Sequence, residues 1–255
     1  MKYFFTLCLS MIFQFSFGQL SMLDIEKELM RDYKKIIYWN DSLQKKYDIV
    51  TEDSLDDVNI NFKNKLLTYT GTTAQTLSYK FQGLKNLGVH IVSSADGSFK
   101  IYSWNTKSKD GIQYMEAVYQ YKLNRKVFSK LKIKEKESDP GHWCDEIFTI
   151  KANLLTTYVA FYKGTASDST KSILLKAYEL HDTGFKDEIP FFKTKNDFTN
   201  EIKLEYLAKS EKTNIDELIF YDELKHTLNL PMINKELALT KRRANYQFNG
   251  KHFEQ

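Results

Sequence analysis

The sequence predicts an α+β protein in which an N-terminal helical segment packs on a large antiparallel β-sheet or sandwich. Before about residue 75, apolar side chains recur at spacings of three and four, which is typical of helices; after it the spacing is two, which is typical of strands. The turn pairs Asp96-Gly97 and Asn249-Gly250 each lie between alternating segments and predict β-hairpins. The 18 Phe and 16 Tyr residues suit pleated, half-buried surfaces.

Two helices are predicted at the N-terminus. Ser21 and Asp24 form a capping-box pattern that begins a helix from about Met22 to Trp39. A second pattern at Ser54 and Asp57 predicts the start of the next helix. The apolar stripe of that helix is Leu55, Val58, Phe62, Leu66 and Tyr69.

The rest of the chain is predicted to be strands. Leu77, Tyr79 and Phe81 alternate with polar neighbours and indicate the first of them. No helical pattern separates the later segments, so an antiparallel sheet is expected, because parallel strands need long crossovers. The further predicted strands are His90–Ser93, Phe99–Trp104, Gln113–Leu123, Val127–Lys134, Ile147–Ala152, Thr156–Tyr162, Ser172–Leu180, Ile202–Ala208, Glu217–Tyr221, Asn245–Phe248 and Lys251–Phe253.

The first 18 residues are predicted to be a cleavable signal peptide. Lys2 precedes an uncharged, mostly apolar run, and Ser16 and Gly18 put small residues where a signal peptidase reads them. The mature protein would begin at Gln19 and be periplasmic or secreted. Residues 19–255 contain no Pro/Gly/Ser-rich linker, which favours a single β-rich domain with N-terminal helices. Two closely packed subdomains would instead divide the chain near 138–141.

Cysteine usage and charge narrow the functional classes. Removal of the signal leaves Cys144 alone, so no internal disulfide is expected. The net charge is +4 and only four basic residues are Arg, a poor match for a nucleic-acid reader. No apolar run of about 18 residues follows the signal, so a transmembrane segment is not expected.

Motifs for nucleotide, zinc-protease and serine-hydrolase chemistry are missing from the sequence, and we predict neither catalytic residues nor a cofactor.

One local cluster has chemical potential. An extended chain would place His142, Cys144 and Glu146 on one face, and imidazole, thiolate and carboxylate are all zinc ligands. A thiolate beside a histidine could also act as a nucleophile. No second ligand motif accompanies the cluster, so we favour a buried structural thiol and no metal.

A lysine stripe is the clearest predicted surface feature. In an extended segment, Lys130, Lys132 and Lys134 share one face with Lys136. Such a stripe could bind an anionic glycan or a lipid headgroup. The favoured interpretation is an edge strand that its lysines protect from aggregation.

Three aromatic residues are the predicted contacts for a glycan. Tyr102 and Trp104 lie on one face of the strand after the Asp96-Gly97 turn, and Trp143 is a separate candidate. Flat aromatic rings offer apolar contact area with little side-chain entropy to lose. One face of that strand must nevertheless be buried, so the rings could instead belong to the core.

The chain resembles exported proteins of Bacteroidota. The resemblance rests on the signal ending Phe17-Gly18-Gln19, on the Asp-Gly-x-Phe-x-Ile-Tyr-Ser-Trp hairpin at 96–104, and on the Tyr-x-Phe-Asn-Gly-x-x-Phe segment at 246–253. It implies an envelope location and no particular activity.

Together these patterns predict a noncatalytic binding or interaction protein of the cell envelope, with a glycan or another envelope protein as partner. The alternative is an exported hydrolase whose catalytic residues meet only in three dimensions, as glycosidase carboxylates do. A pocket that gathers two carboxylates would favour the hydrolase, whereas a broad exposed aromatic face would favour binding.

Overall fold

The computed structural model describes residues 20–45, 49–109, 112–133, 138–152, 155–167, 169–181, 184–194, 197–207 and 219–255. The predicted signal peptide and Lys134 lie outside these residues. N-terminal helices precede a large, mostly antiparallel β-structure, which confirms the predicted α+β class.

Two long helices begin the described chain. Helix α1 (Met22–Lys45) starts at the predicted capping box, where the Asp24 N–H and the Ser21 hydroxyl are hydrogen bonded. Helix α2 (Ile49–Thr72) begins before Ser54, so the predicted start is wrong. The Ser54 hydroxyl donates instead to a carbonyl of the preceding turn, as serines inside helices often do.

The predicted strand at Leu77 to Phe81 is also wrong. The segment forms a 3₁₀ turn (Ala74–Leu77) that leads to the short helix α3 (Gln82–Asn86). The buried Lys100 ammonium donates hydrogen bonds to the carbonyls of Thr76, Leu77 and Tyr79. These carbonyls are therefore satisfied although the segment does not pair with another strand.

The other predicted strands are observed within the described residues, most of them with shifted ends; the predicted ends at Lys134, Ala208 and Glu217 lie outside those residues. No strand was predicted near Pro231, where a proline and a register shift interrupt the pattern. The described strands are β1 (His90–Ser93), β2 (Phe99–Lys109), β3 (Ile112–Leu123), β4 (Lys126–Leu131), β5 (Trp143–Ala152), β6 (Leu155–Ser167), β7 (Thr170–His181), β8 (Gly184–Lys186), β9 (Phe192–Lys193), β10 (Phe198–Thr199), β11 (Glu201–Leu207), β12 (Phe220–Asp222), β13 (Thr227–Ile233), β14 (Leu239–Phe248) and β15 (Phe253–Glu254).

These strands form three sheets. The first sheet has the order β1-β2-β3-β4, and the middle sheet has the order β11-β7-β6-β5 with β8 paired to β7. The outer sheet has the order β10-β9-β15-β14-β13-β12. Both predicted hairpins are present: β1 pairs with β2 across Asp96-Gly97, and β14 pairs with β15 across Asn249-Gly250.

Three apolar clusters hold the layers together in the order helices, first sheet, middle sheet, outer sheet. The two-residue alternation of β2 illustrates the arrangement. Tyr102 and Trp104 pack under the helices, whereas Phe99 and Ile101 pack against the middle sheet. The first and middle sheets are therefore covered on both faces, which explains their nearly continuous apolar strands.

Among the described residues, no helix combines the length and apolarity needed to cross a bilayer.

Candidate functional site

A cleft of about 340 Å³ opens between the first and middle sheets. The end of β4 and the loop before β5 form part of its wall, and β3, β7, β11 and the segment that follows β8 supply the rest. Its lining mixes apolar side chains with both signs of charge. The residues are Met115, Glu116, Ala117, Tyr119, Lys130, Lys132, Ile133, Asp139, Gly141, His142, Leu174, Lys176, Asp187, Glu188, Glu201 and Lys203. We call it the interlayer cleft.

Lys132 has the most unusual environment in the interlayer cleft. Its backbone N–H donates to the Ala117 carbonyl, which fixes the stem beside β3. Its ammonium lies 4.8 Å from the centre of the Tyr162 ring. Within the described part of the chain, no carboxylate or other protein acceptor binds this ammonium. Burial, with a further effect from Lys176, lowers the pKa of Lys132 to about 8.

His142 lies on the same wall and is held by its surroundings. Its Nε2 atom is 2.9 Å from the Ser172 hydroxyl, and both residues are buried. Burial lowers the pKa of His142 to about 4, with the positive charge of Lys132 as the next cause, so the imidazole is neutral near pH 7. Gly164 leaves the room that the ring needs, because a Cβ atom there would lie 2.7 Å from the His142 Cδ2 atom.

The loop that carries His142 is ordered by hydrogen bonds. The Asp139 carboxylate accepts the Gly141 N–H, and the Pro140 carbonyl accepts the Met115 N–H. Gly141 has a φ of +70°, which glycine adopts without strain. A Cβ atom there would also lie 2.7 Å from the Met115 carbonyl oxygen. The loop thus holds the imidazole against the cleft.

The interior between the two sheets, next to the cleft, is a buried cluster of tyrosine hydroxyls. The Tyr178 hydroxyl lies 3.0 Å from that of Tyr119 and 2.6 Å from that of Tyr162. Desolvation raises the pKa of all three groups, so they stay protonated and exchange hydrogen bonds with one another. The Tyr162 ring in this cluster is the one that contacts the Lys132 ammonium.

The remaining charges differ in how far they are paired. Lys130 forms an ion pair with Asp187 at 3.0 Å, and Lys203 forms one with Glu205 at 3.3 Å. Glu201 and Lys176 sit opposite each other in the β11–β7 register. Among the described residues, neither the Lys176 ammonium nor the Glu201 carboxylate has an ion-pair partner within 4.0 Å.

The structure brings three sequence-selected residues together at this cleft: Lys130, Lys132 and His142. Strand β4 is at the edge of the first sheet and contains Lys130, but it ends at Leu131, so Lys132 lies beyond the strand. Lys134, the third predicted contact of that stripe, lies outside the described residues.

The expectation that Tyr102 and Trp104 present exposed rings is wrong. Both side chains are 0% exposed because α1 and α2 cover their face of the first sheet. The Trp104 ring packs edge-on against Phe62, and the Tyr102 hydroxyl donates to the Gln120 side-chain oxygen. They belong to the core.

Trp143 is partly exposed and lies outside the cleft lining. Its ring stacks on His90 with the ring centres 5.2 Å apart, so one face is already occupied. A ligand could contact only the part of the Trp143 ring that His90 does not cover.

His142, Cys144 and Glu146 do not share a face. A β-bulge at Asp145 interrupts the alternation, because both Cys144 and Glu146 pair with consecutive residues of β6. Cys144 is consequently buried while Glu146 is exposed. No cluster of metal-ligating side chains occurs in the described ranges. The thiol is in the core, where burial raises its pKa well above the usual range.

Sequence reasoning missed the wall from the middle sheet, above all Lys176, Asp187 and Glu201. All three are distant from Lys132 along the chain. The pairing of β7 with β11 places Lys176 opposite Glu201, and the packing of the middle sheet beside the first sheet brings these residues and Asp187 into the same cleft as Lys132. One signal was present: Lys176 interrupts the apolar run from Ile173 to Tyr178. A lysine in a strand buried on both faces needs a cleft or a partner.

No family model matches the chain, and no curated protein and no solved structure matches it either.

Proposed function

We propose that the protein is an exported, noncatalytic binding protein of the cell envelope, and that the interlayer cleft binds a small ligand through an anionic group. The observation that most strongly supports anion binding in the cleft is the position of the Lys132 ammonium. It faces the cleft, and among the described residues no protein acceptor binds it. Removing an ammonium from water costs free energy unless a negative group pairs with it. A bound anion would therefore offset a desolvation cost that no protein group among the described residues offsets.

Size and lining indicate the class of ligand. A volume of about 340 Å³ is at the lower end of small-molecule sites, which suits a single acidic sugar or a similar small acid. Met115 and Leu174 offer apolar contact, and the neutral His142 ring belongs to the same lining. A carboxylate or a phosphate on the ligand would satisfy Lys132, with Lys176 as a second cation.

The hydrolase alternative has one specific observation in its favour, the 2.9 Å contact between His142 Nε2 and the Ser172 hydroxyl. A serine nucleophile must reach its substrate, but Ser172 is 4% exposed and is not part of the cleft lining. A histidine with a pKa of about 4 is also a weak base at neutral pH. The pair is better explained as a structural hydrogen bond.

The cleft also contains carboxylates, which a glycoside hydrolase would use. That chemistry needs one carboxyl group that its environment keeps protonated. Asp187 is ion-paired with Lys130, and Glu188 is exposed to water. Neither position points to a catalytic pair of carboxyl groups, so we favour binding over hydrolysis for this cleft.

Binding can be tested with a panel of small acids, including uronic acids, hydroxy acids and sugar phosphates, screened by thermal shift and measured by calorimetry. We expect binding that weakens at least about tenfold in Lys132→Gln, because loss of a charged hydrogen bond costs about 1.5–3 kcal/mol. Lys122→Gln is the matched control, since Lys122 is exposed on β3 and is not part of the cleft lining. Equal affinity in both variants, or turnover of a ligand by the wild type, would contradict the proposal.

Export can be tested separately. We expect the protein recovered from the envelope or the medium to begin at Gln19, with the apolar segment before it removed. N-terminal sequencing with intact mass measurement, after allowance for cyclised glutamine, decides the point. A mature chain that retains residues 1–18 would contradict it.

A further inference from the structure

We propose that Lys132 captures its ligand covalently and reversibly, as an imine with the carbonyl group of a small anionic aldehyde or ketone. This inference rests on the proposed function, because it assigns the ligand class of the same cleft. It adds a bond-forming step to the binding that an anion alone would give.

The geometry leaves the Lys132 nitrogen available for reaction. An amine reacts through its lone pair, so it must be accessible and free of strong protein acceptors that hold it as an ammonium. Lys132 lines an open cleft and rests on the Tyr162 ring, a weaker partner than a carboxylate.

Lys100 is an informative contrast within the same chain. Lys100 is buried, whereas Lys132 is partly exposed, and burial lowers the pKa of Lys100 to about 7. Its nitrogen, however, donates to the carbonyls of Thr76, Leu77 and Tyr79 under the helices, away from the interlayer cleft. Of these two desolvated lysines, only Lys132 combines a disfavoured charge with access.

The ionisable groups that act on Lys132 come from several walls of the cleft. Lys176 on β7 disfavours the ammonium, whereas Asp139 in the loop and Glu201 on β11 favour it. Cys144 on β5 is protonated and His142 is neutral, so neither adds a full charge near pH 7. With a pKa of about 8, roughly one Lys132 side chain in ten is the reactive neutral amine at pH 7.

The step balances without an oxidant or a reductant. The neutral Lys132 nitrogen attacks the carbonyl carbon, a C–N bond forms, and the carbonyl π electrons move to oxygen. A proton passes from nitrogen to oxygen to give the carbinolamine. Loss of the hydroxyl group as water, with a second proton from the solvent-filled cleft, leaves the protonated imine.

The anionic group of the ligand would lie toward Lys176, the other cation of the cleft that has no ion-pair partner among the described residues. The second attachment selects anionic carbonyl compounds over neutral aldehydes. A carboxylate or a phosphate meets this requirement equally well.

The test uses glyoxylate as the carboxylate probe and pyridoxal 5′-phosphate as the phosphate probe. Sodium borohydride reduces any imine to a stable secondary amine, and peptide mass spectrometry locates it. With limiting probe near neutral pH, we expect one predominant label at Lys132, formed at least about tenfold faster than at exposed lysines, because far less of an ordinary lysine is neutral there. The probe that labels faster identifies the preferred anion.

Two variants and one analogue make the result decisive. Lys132→Arg keeps the charge but cannot form an imine, and should lose the predominant label while retaining the wild-type circular dichroism. Lys122→Arg should label like the wild type. Pyridoxine 5′-phosphate, an alcohol in place of the aldehyde, reports noncovalent binding alone.

The outcomes separate the two proposals. If pyridoxine 5′-phosphate binds in a Lys132-dependent way but labelling is spread over exposed lysines, the imine is overturned and the anion site stands. If Lys132 is labelled although neither the analogue nor the acid panel binds, the imine stands without the anion site. Labelling that favours Lys100, or that persists elsewhere unchanged in Lys132→Arg, overturns the imine.

Discussion

Replacing Lys132 with methionine should stabilise the fold, although it removes the residue proposed to bind the ligand. Methionine keeps an unbranched apolar side chain and removes the ammonium that burial disfavours. Lys132 has a pKa of about 8 in the folded protein and 10.5 as its ordinary value. Each pKa unit corresponds to about 1.36 kcal/mol, so the buried charge costs roughly 3 kcal/mol near pH 7.

Part of that cost is already offset in the wild type. The contact between the ammonium and the Tyr162 ring is worth about 0.5–1 kcal/mol and is lost in the variant. The expected net gain in the free energy of unfolding is therefore about 2 kcal/mol. Lys203→Met is the control, since the Lys203 side chain is 50% exposed and its surface ion pair contributes little.

The pH dependence gives the decisive check. The folded protein binds the Lys132 proton less tightly than the unfolded chain does, so the cost is complete below about pH 8 and fades as the pH rises toward about 10.5. Urea unfolding of the wild type and Lys132→Met near pH 7 and near pH 10 should show the gain at the lower pH and little of it at the higher one. A loss of stability near pH 7, or the same gain at both pH values, would refute the reasoning.

Three further predictions concern the core and the cleft wall. Trp104→Ala should lower the free energy of unfolding by about 3–5 kcal/mol in urea titrations, because a fully buried ring is removed; a loss under 1 kcal/mol would show that the ring is not core. Native Cys144 should not react with a water-soluble disulfide reagent until urea unfolds the chain, since the thiol is 0% exposed and protonated; prompt native labelling would contradict this. Stability should fall by up to about 3 kcal/mol between roughly pH 6.5 and pH 4, because the unfolded chain protonates His142 before the folded protein does. His142→Gln should remove that part of the slope, and an unchanged slope would contradict the assignment.

Local chemistry determined the elements that the sequence predicted well. The Ser21–Asp24 cap needs only residues within one helical turn, and the Asp96-Gly97 and Asn249-Gly250 turns need only their own backbone preferences. For the same reason the alternation along β2 and β3 was readable from the sequence. The α+β class followed from these local signals.

Tertiary contacts decided the segments where local patterns competed. Leu77 to Phe81 alternates like a strand, yet the Lys100 ammonium stabilises a turn there by binding its carbonyls. The bulge at Asp145 separated Cys144 from Glu146, although their spacing alone placed them on one face. In both places a contact outside the segment, from the Lys100 ammonium or from the pairing with β6, overrode the local preference.

The candidate site likewise depends partly on local sequence patterns and partly on tertiary contacts. The sequence by itself selected Lys130 and Lys132 from one pattern and His142 from another, and it placed Tyr102 and Trp104 on one strand face. Only the tertiary structure decided which of these faces is covered, because a strand alternates identically whether helices or water lie above it. The packing of the middle sheet against the first sheet brought Lys176 into the same cleft as Lys132, and the resulting burial lowers the pKa of the Lys132 ammonium.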